Sequence, residues 1–295
     1  MTTPWAAPIG VFDSGVGGLT VLRALREALP GEDFIYLGDT ARLPYGTKSG
    51  DTVVRYALQA SRVLVARSIK CLVVACNTAS AVSLPAMRAC FGELPVIGVI
   101  EPGAAAACAA TRSGHIAVIA TDGTVRGRAY EVAIHALRPD ARVRAIACQL
   151  FVALAEEGWT DGEVVLAAAR RYLGGPFGTG AGAAPDTIVL GCTHFPMMVG
   201  PIRAVVGAGT AIVDSAATAA EATRARLQQL GLLRPHGTAG TRRGAGRLTL
   251  LATDGPERFA QVGSAFLGEA IEAGRIELVD LAPGTPAPSA QSGSA

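Results

Sequence analysis

Short apolar runs rich in β-branched residues alternate with longer stretches of helical spacing, and this alternation restricts the fold more than any other feature of the chain. The runs are IGVF (9–12), FIYL (34–37), CLVVA (71–75), PVIGVI (95–100), HIAVIA (115–120), VRAIA (143–147), TIVL (187–190) and LTLLA (248–252). They are largely apolar, as strands covered on both faces are. Between them helical spacing recurs; in 52–66 it is carried by Val54, Ala57, Leu58, Ser61, Leu64 and Val65. The pattern predicts an α/β chain with open, mostly parallel sheets. Ligands of such sheets bind beyond the carboxyl ends of the strands, so the residues that follow each run are where chemistry is to be sought.

The chain has 295 residues, half of them apolar, enough for two units that each bury a core. Its net charge of +2 comes without a basic stripe, which argues against a dedicated nucleic-acid binder. Lys48 and Lys70 are the only lysines. A pyridoxal phosphate enzyme needs a Schiff-base lysine, so that chemistry has few candidates. Cysteines stand at 71, 76, 90, 108, 148 and 192, with no CxxC. Free thiols fit better than a disulfide framework in a chain this long and apolar. There is no HExxH, and no metal or cofactor is expected. The start, MTTPWAAPIG, lacks a basic region followed by an apolar run, and no segment of about eighteen residues is apolar enough to span a membrane. A cytoplasmic protein is expected. The Gly/Ala/Pro-rich segments 174–186 and 235–246 read as loops, and 282–295 as a disordered tail.

A weak repeat links the two halves. IGVFDSGVGG is followed by VVACNTAS, and IAVIATDGTVRG by VLGCTHFP. Asp13 precedes Cys76 by 63 residues, and Thr121 precedes Cys192 by 71. A lone cysteine at a strand end is more often structural than reactive. Two of them, each ending a strand and followed by polar residues, shift that balance. If the halves face each other, two thiols reach one cleft from opposite sides. Inverting a stereocentre requires removing a proton on one face and adding one on the other, and a thiolate with a thiol can do both. A free thiol titrates at about 8.5, so each needs a neighbour to hold its proton near neutrality. Asp13 could serve Cys76 and His194 could serve Cys192. Taken singly, Asp13 reads sooner as a turn or helix-cap residue and His194 as a satisfied polar residue in a loop. Gly15, Gly17 and Gly18 suggest a loop closely approached by an anion. A dinucleotide G-x-G-x-x-G fails at Thr20, and PYGTKS (44–49) lacks the Gly-Lys core of a P-loop.

These blocks together resemble glutamate racemases of the aspartate/glutamate racemase superfamily. The resemblance runs through GVFDSGVGGLTVL, YLGDTARLPYGTKS, VVACNTASA, PVIGVIEPG, LGCTHFPMM and DGPERF. It implies two pseudo-symmetric α/β domains with the active site at their interface, the first from 1–98 plus 211–281 and the second from 99–210. It implies cofactor-independent interconversion of L- and D-glutamate for peptidoglycan synthesis. Cys76 would deprotonate D-glutamate and Cys192 L-glutamate, assisted by Asp13, His194 and a carboxylate that is either Glu156 or Glu157. Asp13, Ser14, Tyr45, Gly46, Asn77, Thr78, Thr121, Thr124, Thr193 and His194 would bind substrate. A homodimer is the partner state the resemblance brings. It also raises a second contact, to DNA gyrase, for which this chain offers no motif. CQLFVALAEEG (148–158) departs from the family in lacking prolines, and Gly127 stands where a serine is expected. Three rival readings remain: a related racemase acting on aspartate or a hydantoin, a cysteine hydrolase needing one thiol, and a non-catalytic binding protein.

Overall fold

The computed structural model describes residues 4–178, 184–235 and 246–281. The first half runs β1 (Ile9–Asp13), α1 (Leu19–Ala28), β2 (Phe34–Gly38), α2 (Gly50–Val65), β3 (Cys71–Val74), α3 (Asn77–Phe91) and β4 (Val96–Gly98). The second runs α4 (Ile100–Ala110), β5 (His115–Ala120), α5 (Asp122–Gly127), α6 (Ala129–Leu137), β6 (Arg142–Ala147), α7 (Leu150–Glu156), α8 (Glu163–Phe177), β7 (Thr187–Gly191), α9 (Val199–Val206) and β8 (Ala211–Asp214). The chain closes with α10 (Ser215–Gln229), β9 (Leu248–Ala252), α11 (Pro256–Leu267) and β10 (Ile276–Leu278).

The strands form two parallel sheets. One has the order β10-β9-β2-β1-β3-β4, the other β6-β5-β7-β8. β1, β2, β3 and β7 are buried along their whole length, which is why their sequences are apolar without alternation. Within each half the strand order is second-first-third-fourth, so the weak repeat corresponds to a repeated topology. That order reverses direction between the first and third strands, where an open parallel sheet forms its crevice.

All eight apolar runs lie on strands. PVIGVI yields the shortest of them, because Ile100 already belongs to α4. β8 and β10 were not foreseen; each offers only two or three apolar residues. β8 corrects the boundary drawn at 210/211, since residues 211–214 pair with β7 in the second sheet. The loop expected from 174 is also corrected at its start. Gly174, Gly175 and Pro176 continue α8, held by burial of Leu173 and Pro176. Residues 179–183, 236–245 and the tail 282–295 lie outside the described residues.

The halves are packed together. α1 lies against α10, and α10 against α4. One apolar cluster runs from Ile9, Leu22 and Tyr36 to Ile119, Leu190 and Phe195. Among the described residues, no helix is long and apolar enough to cross a membrane, and no group of three or more His, Cys, Asp or Glu side chains is placed to hold a metal ion.

Candidate active site

Cys76 follows β3 and caps the N-terminus of α3, its sulfur accepting the Ala79 N–H at 3.4 Å. Cys192 directly follows β7. Both strands are the third of their half, so the repeated topology carries each sulfur to the same place in its own sheet. The two thiols line one cleft of about 450 Å³, counting the space open to solvent. Its walls include Ser14, Gly15 and Asn77 from the first half, and Thr121, Glu156, Thr193 and His194 from the second.

Each sulfur has a different titratable neighbour. The Cys76 thiol donates to Ser14 Oγ at 3.4 Å. Burial, and then the charge of Asp13, push that thiol up to about 12. Asp13 ends β1 and is 1 % exposed, standing behind the cleft wall. Its Oδ2 accepts the Gly15 N–H at 2.9 Å, while its buried Oδ1 has no partner. Burial raises the Asp13 carboxyl above its usual range, against the pull of His194 and the N–H groups of Gly18, Gly15 and Ser14. A raised carboxyl beside a raised thiol is a pair between which a proton can move.

On the other side, Cys192 Sγ lies 3.7 Å from His194 Nδ1, and His194 Nε2 lies 3.1 Å from Glu156 Oε1. Burial alone would discharge the imidazole. The hydrogen bonds and charges of Cys192 and Glu156 outweigh it and carry His194 up to about 10. Glu156 is therefore the carboxylate facing the site; Glu157 is exposed and faces Arg258 at 3.6 Å. Arg258 also stands 4.0 Å from Glu156.

The glycine loop has a different cause from the one its sequence suggests. A Cβ on Gly17 would stand 2.4 Å from both His194 Cε1 and Thr193 Oγ1, and one on Gly18 2.5 Å from Asp13 Cβ. The loop is bare so that the Thr193–His194 turn can seat on it, and Thr20 Oγ1 locks that seat by donating to Thr193 O at 2.9 Å. Gly46 is pressed likewise: its Cβ would meet Thr121 Cβ at 2.9 Å.

Hydroxyls gather where α3 and α5 begin. Thr78, Thr121 and Thr124 form a triangle of 2.9, 3.0 and 3.2 Å sides that bridges the halves. Thr124 lies behind the wall, while Thr78 and Thr121 line it. Tyr45 and Gly46 line it too, on a short 3-10 turn anchored by Tyr45 donating to the buried Asp39 at 2.5 Å. Asp39 also accepts from Arg42 Nε at 2.8 Å and Thr253 Oγ1 at 3.0 Å. Sequence reasoning overlooked Leu43, Gln149 and Val152, which also line the cleft. Gln149 follows β6, so the strand-end rule could have flagged it. Leu43 and Val152 carried no signal beyond apolarity.

The Asp/Glu/Hydantoin racemase family model matches residues 9–223. The glutamate racemase of Geobacter metallireducens is 51 % identical over 265 residues, covering 90 % of this chain and 94 % of that protein. That of Neisseria meningitidis serogroup A is 44 % identical over 274 residues, covering 93 % and 97 %. Among solved structures, glutamate racemase from Francisella tularensis in complex with D-glutamate superposes with a TM-score of 0.84 at 33 % identity, over 94 % of this chain and 99 % of that one. The Thermus thermophilus enzyme in complex with β-chloro-D-alanine gives a TM-score of 0.81 at 42 % identity, over 95 % and 99 %.

Proposed function

Because this chain belongs to the Asp/Glu/hydantoin racemase family, and within it to the glutamate racemases, we propose that it interconverts L- and D-glutamate through two opposed cysteines and no cofactor. The observation that carries this reading is that Cys76 and Cys192 line one cleft from two different sheets. Cys192 takes the α-proton from L-glutamate while the Cys76 thiol delivers one to the opposite face. Cys76 takes it from D-glutamate in the reverse direction.

Asp13 holds the proton that Cys76 must shed, and His194 the proton of Cys192. Glu156 keeps His194 charged and oriented. The substrate brings two carboxylates and an ammonium. The hydroxyls of Ser14, Thr78, Thr121 and Thr193 suit the carboxylates, with Thr124 behind them, and Tyr45 and Gly46 form the far wall. The unpartnered acceptor Asn77 Oδ1, on the cleft wall, suits the ammonium, with Asp13 behind that wall. Proton abstraction builds carbanion character that fixed donors around the α-carboxylate stabilise. The biological role we assign is cytoplasmic supply of D-glutamate for peptidoglycan synthesis.

Proton NMR of L-glutamate with the purified protein in D2O, without added cofactor, tests the reading. Loss of the α-proton signal with appearance of the D-isomer is the expected result. An unchanged α-proton signal, or faster exchange on aspartate, would overturn it.

A further inference from the structure

Asn77 stands one residue after Cys76, and its amide has two unlike ends. Nδ2 donates to the Tyr130 hydroxyl at 2.9 Å, while Oδ1 is buried with no partner. Which end faces a ligand decides what the residue can recognise, because an amide oxygen only accepts and an amide nitrogen only donates.

Tyr130 belongs to the other half of the molecule. It sits near the start of α6 and is 3 % exposed. Its ring is admitted by two glycines: a Cβ at Gly191 would lie 3.0 Å from it, and one at Gly103 3.3 Å. Arg128, left-handed at φ 52°, breaks α5 from α6 just ahead of it. A non-glycine residue in that region is uncommon. The phenol also interacts with the buried hydroxyl of Ser215 at the start of α10. Ser215 Oγ gives its proton to Leu190 O at 3.0 Å.

The Leu190 carbonyl can only accept, so the Ser215 proton is committed to it. The phenol oxygen accepts from Asn77 Nδ2, which leaves Oδ1 as the free end of the amide. We propose that Tyr130 is a positioning residue, which fixes the Asn77 amide with Oδ1 free as an acceptor for the substrate ammonium and ties it to β7 just ahead of Cys192. This rests on the reading of the cleft as a glutamate site.

Tyr130→Phe keeps the ring and removes the hydroxyl. KM for both enantiomers should rise about tenfold, the worth of one well-placed hydrogen bond, with kcat changed less. In an Asn77→Ala background the same substitution should add nothing, whereas a merely structural role would add its full effect. Dissociation constants for D-glutamate, read by calorimetry, complete the cycle for any inactive variant. Ser215→Ala, which removes the other hydroxyl beside the phenol, should act in the same direction and serves where Tyr130→Phe melts early by circular dichroism. Additive effects, or unchanged KM in both folded variants, would overturn the inference while the wild type still racemises glutamate. Failure of the wild type to exchange the α-proton would instead remove the functional reading beneath it.

Discussion

Replacing Glu156 by Gln keeps the shape of the His194 neighbourhood and deletes one charge 3.1 Å from its ring. Two unit charges at that separation interact by roughly 5 kcal/mol in an effective dielectric of about 20, which sets the ceiling. Two features lower it. The Glu156 side chain is 21 % exposed, and Arg258 stands 4.0 Å away on its other oxygen. A carboxylate in contact with a titrating group typically moves it by about 1–3 pH units, or roughly 1.4–4 kcal/mol. The chain has only four histidines, so imidazole NMR can follow each through a pH titration. In the wild type one of them should titrate far above the rest, near the value of about 10 that Cys192 and Glu156 bring to His194. In Glu156→Gln that midpoint should fall by about 1–3 pH units. Stability must follow with a definite sign. A histidine raised in the folded state adds stability that is fully present below its unfolded value of about 6.5 and is lost as pH climbs through its folded one. The wild type should therefore exceed Glu156→Gln in urea resistance near neutrality, and the gap should close as pH approaches 10. A high-titrating histidine that does not move in Glu156→Gln, or a gap that widens with rising pH, would refute the account of how His194 holds its proton.

Cys76→Ser and Cys192→Ser should each abolish racemisation in a coupled D-glutamate assay; full activity in either would favour single-thiol chemistry. Gly17→Ala puts a methyl group 2.4 Å from His194 and Thr193. It should cost about 1–3 kcal/mol in denaturation and most of the activity, while Gly200→Ala, with no atom within 4 Å of its Cβ, should retain both. Lys70→Met strips the charged partner from Glu32, which pairs with it at 2.5 Å with both side chains no more than 3 % exposed, and leaves it the Arg234 N–H at 2.8 Å. A buried carboxylate without its counter-charge should lower unfolding free energy by up to about 3–5 kcal/mol. KM should be untouched, because the pair sits at the amino end of β3, away from the cleft.

The central strands were legible because burial on both faces leaves little room for polar residues: HIAVIA became β5 with the same limits and all but its first residue buried, whereas β6, at a sheet edge, keeps Arg142 and Arg144 exposed. β8 was not, since AIVD has too few apolar residues to stand apart from its surroundings, and its place comes from pairing with β7. The two cysteines were legible as strand-end residues in a repeated pattern, and the topology explains why the pattern repeats. Tyr130 was invisible, because nothing in AYEVAIHAL distinguishes a phenol that reaches a distant asparagine from one that only fills a core. Glu156 and Glu157 were alike in sequence and differ only in which side of α7 they leave.

The two sheets offer the same strand order but unlike titratable groups, a carboxyl behind one sulfur and an imidazole beside the other, which the proposed mechanism uses as proton carriers. Mirror-image molecules have equal free energy, so thermodynamics forces kcat/KM to be identical in the two directions at every pH. On the proposed mechanism, the mismatch between the carriers can surface only in how that shared ratio divides. One enantiomer is held more tightly and turned over more slowly, and the partition drifts with pH as the carriers titrate in their separate ranges.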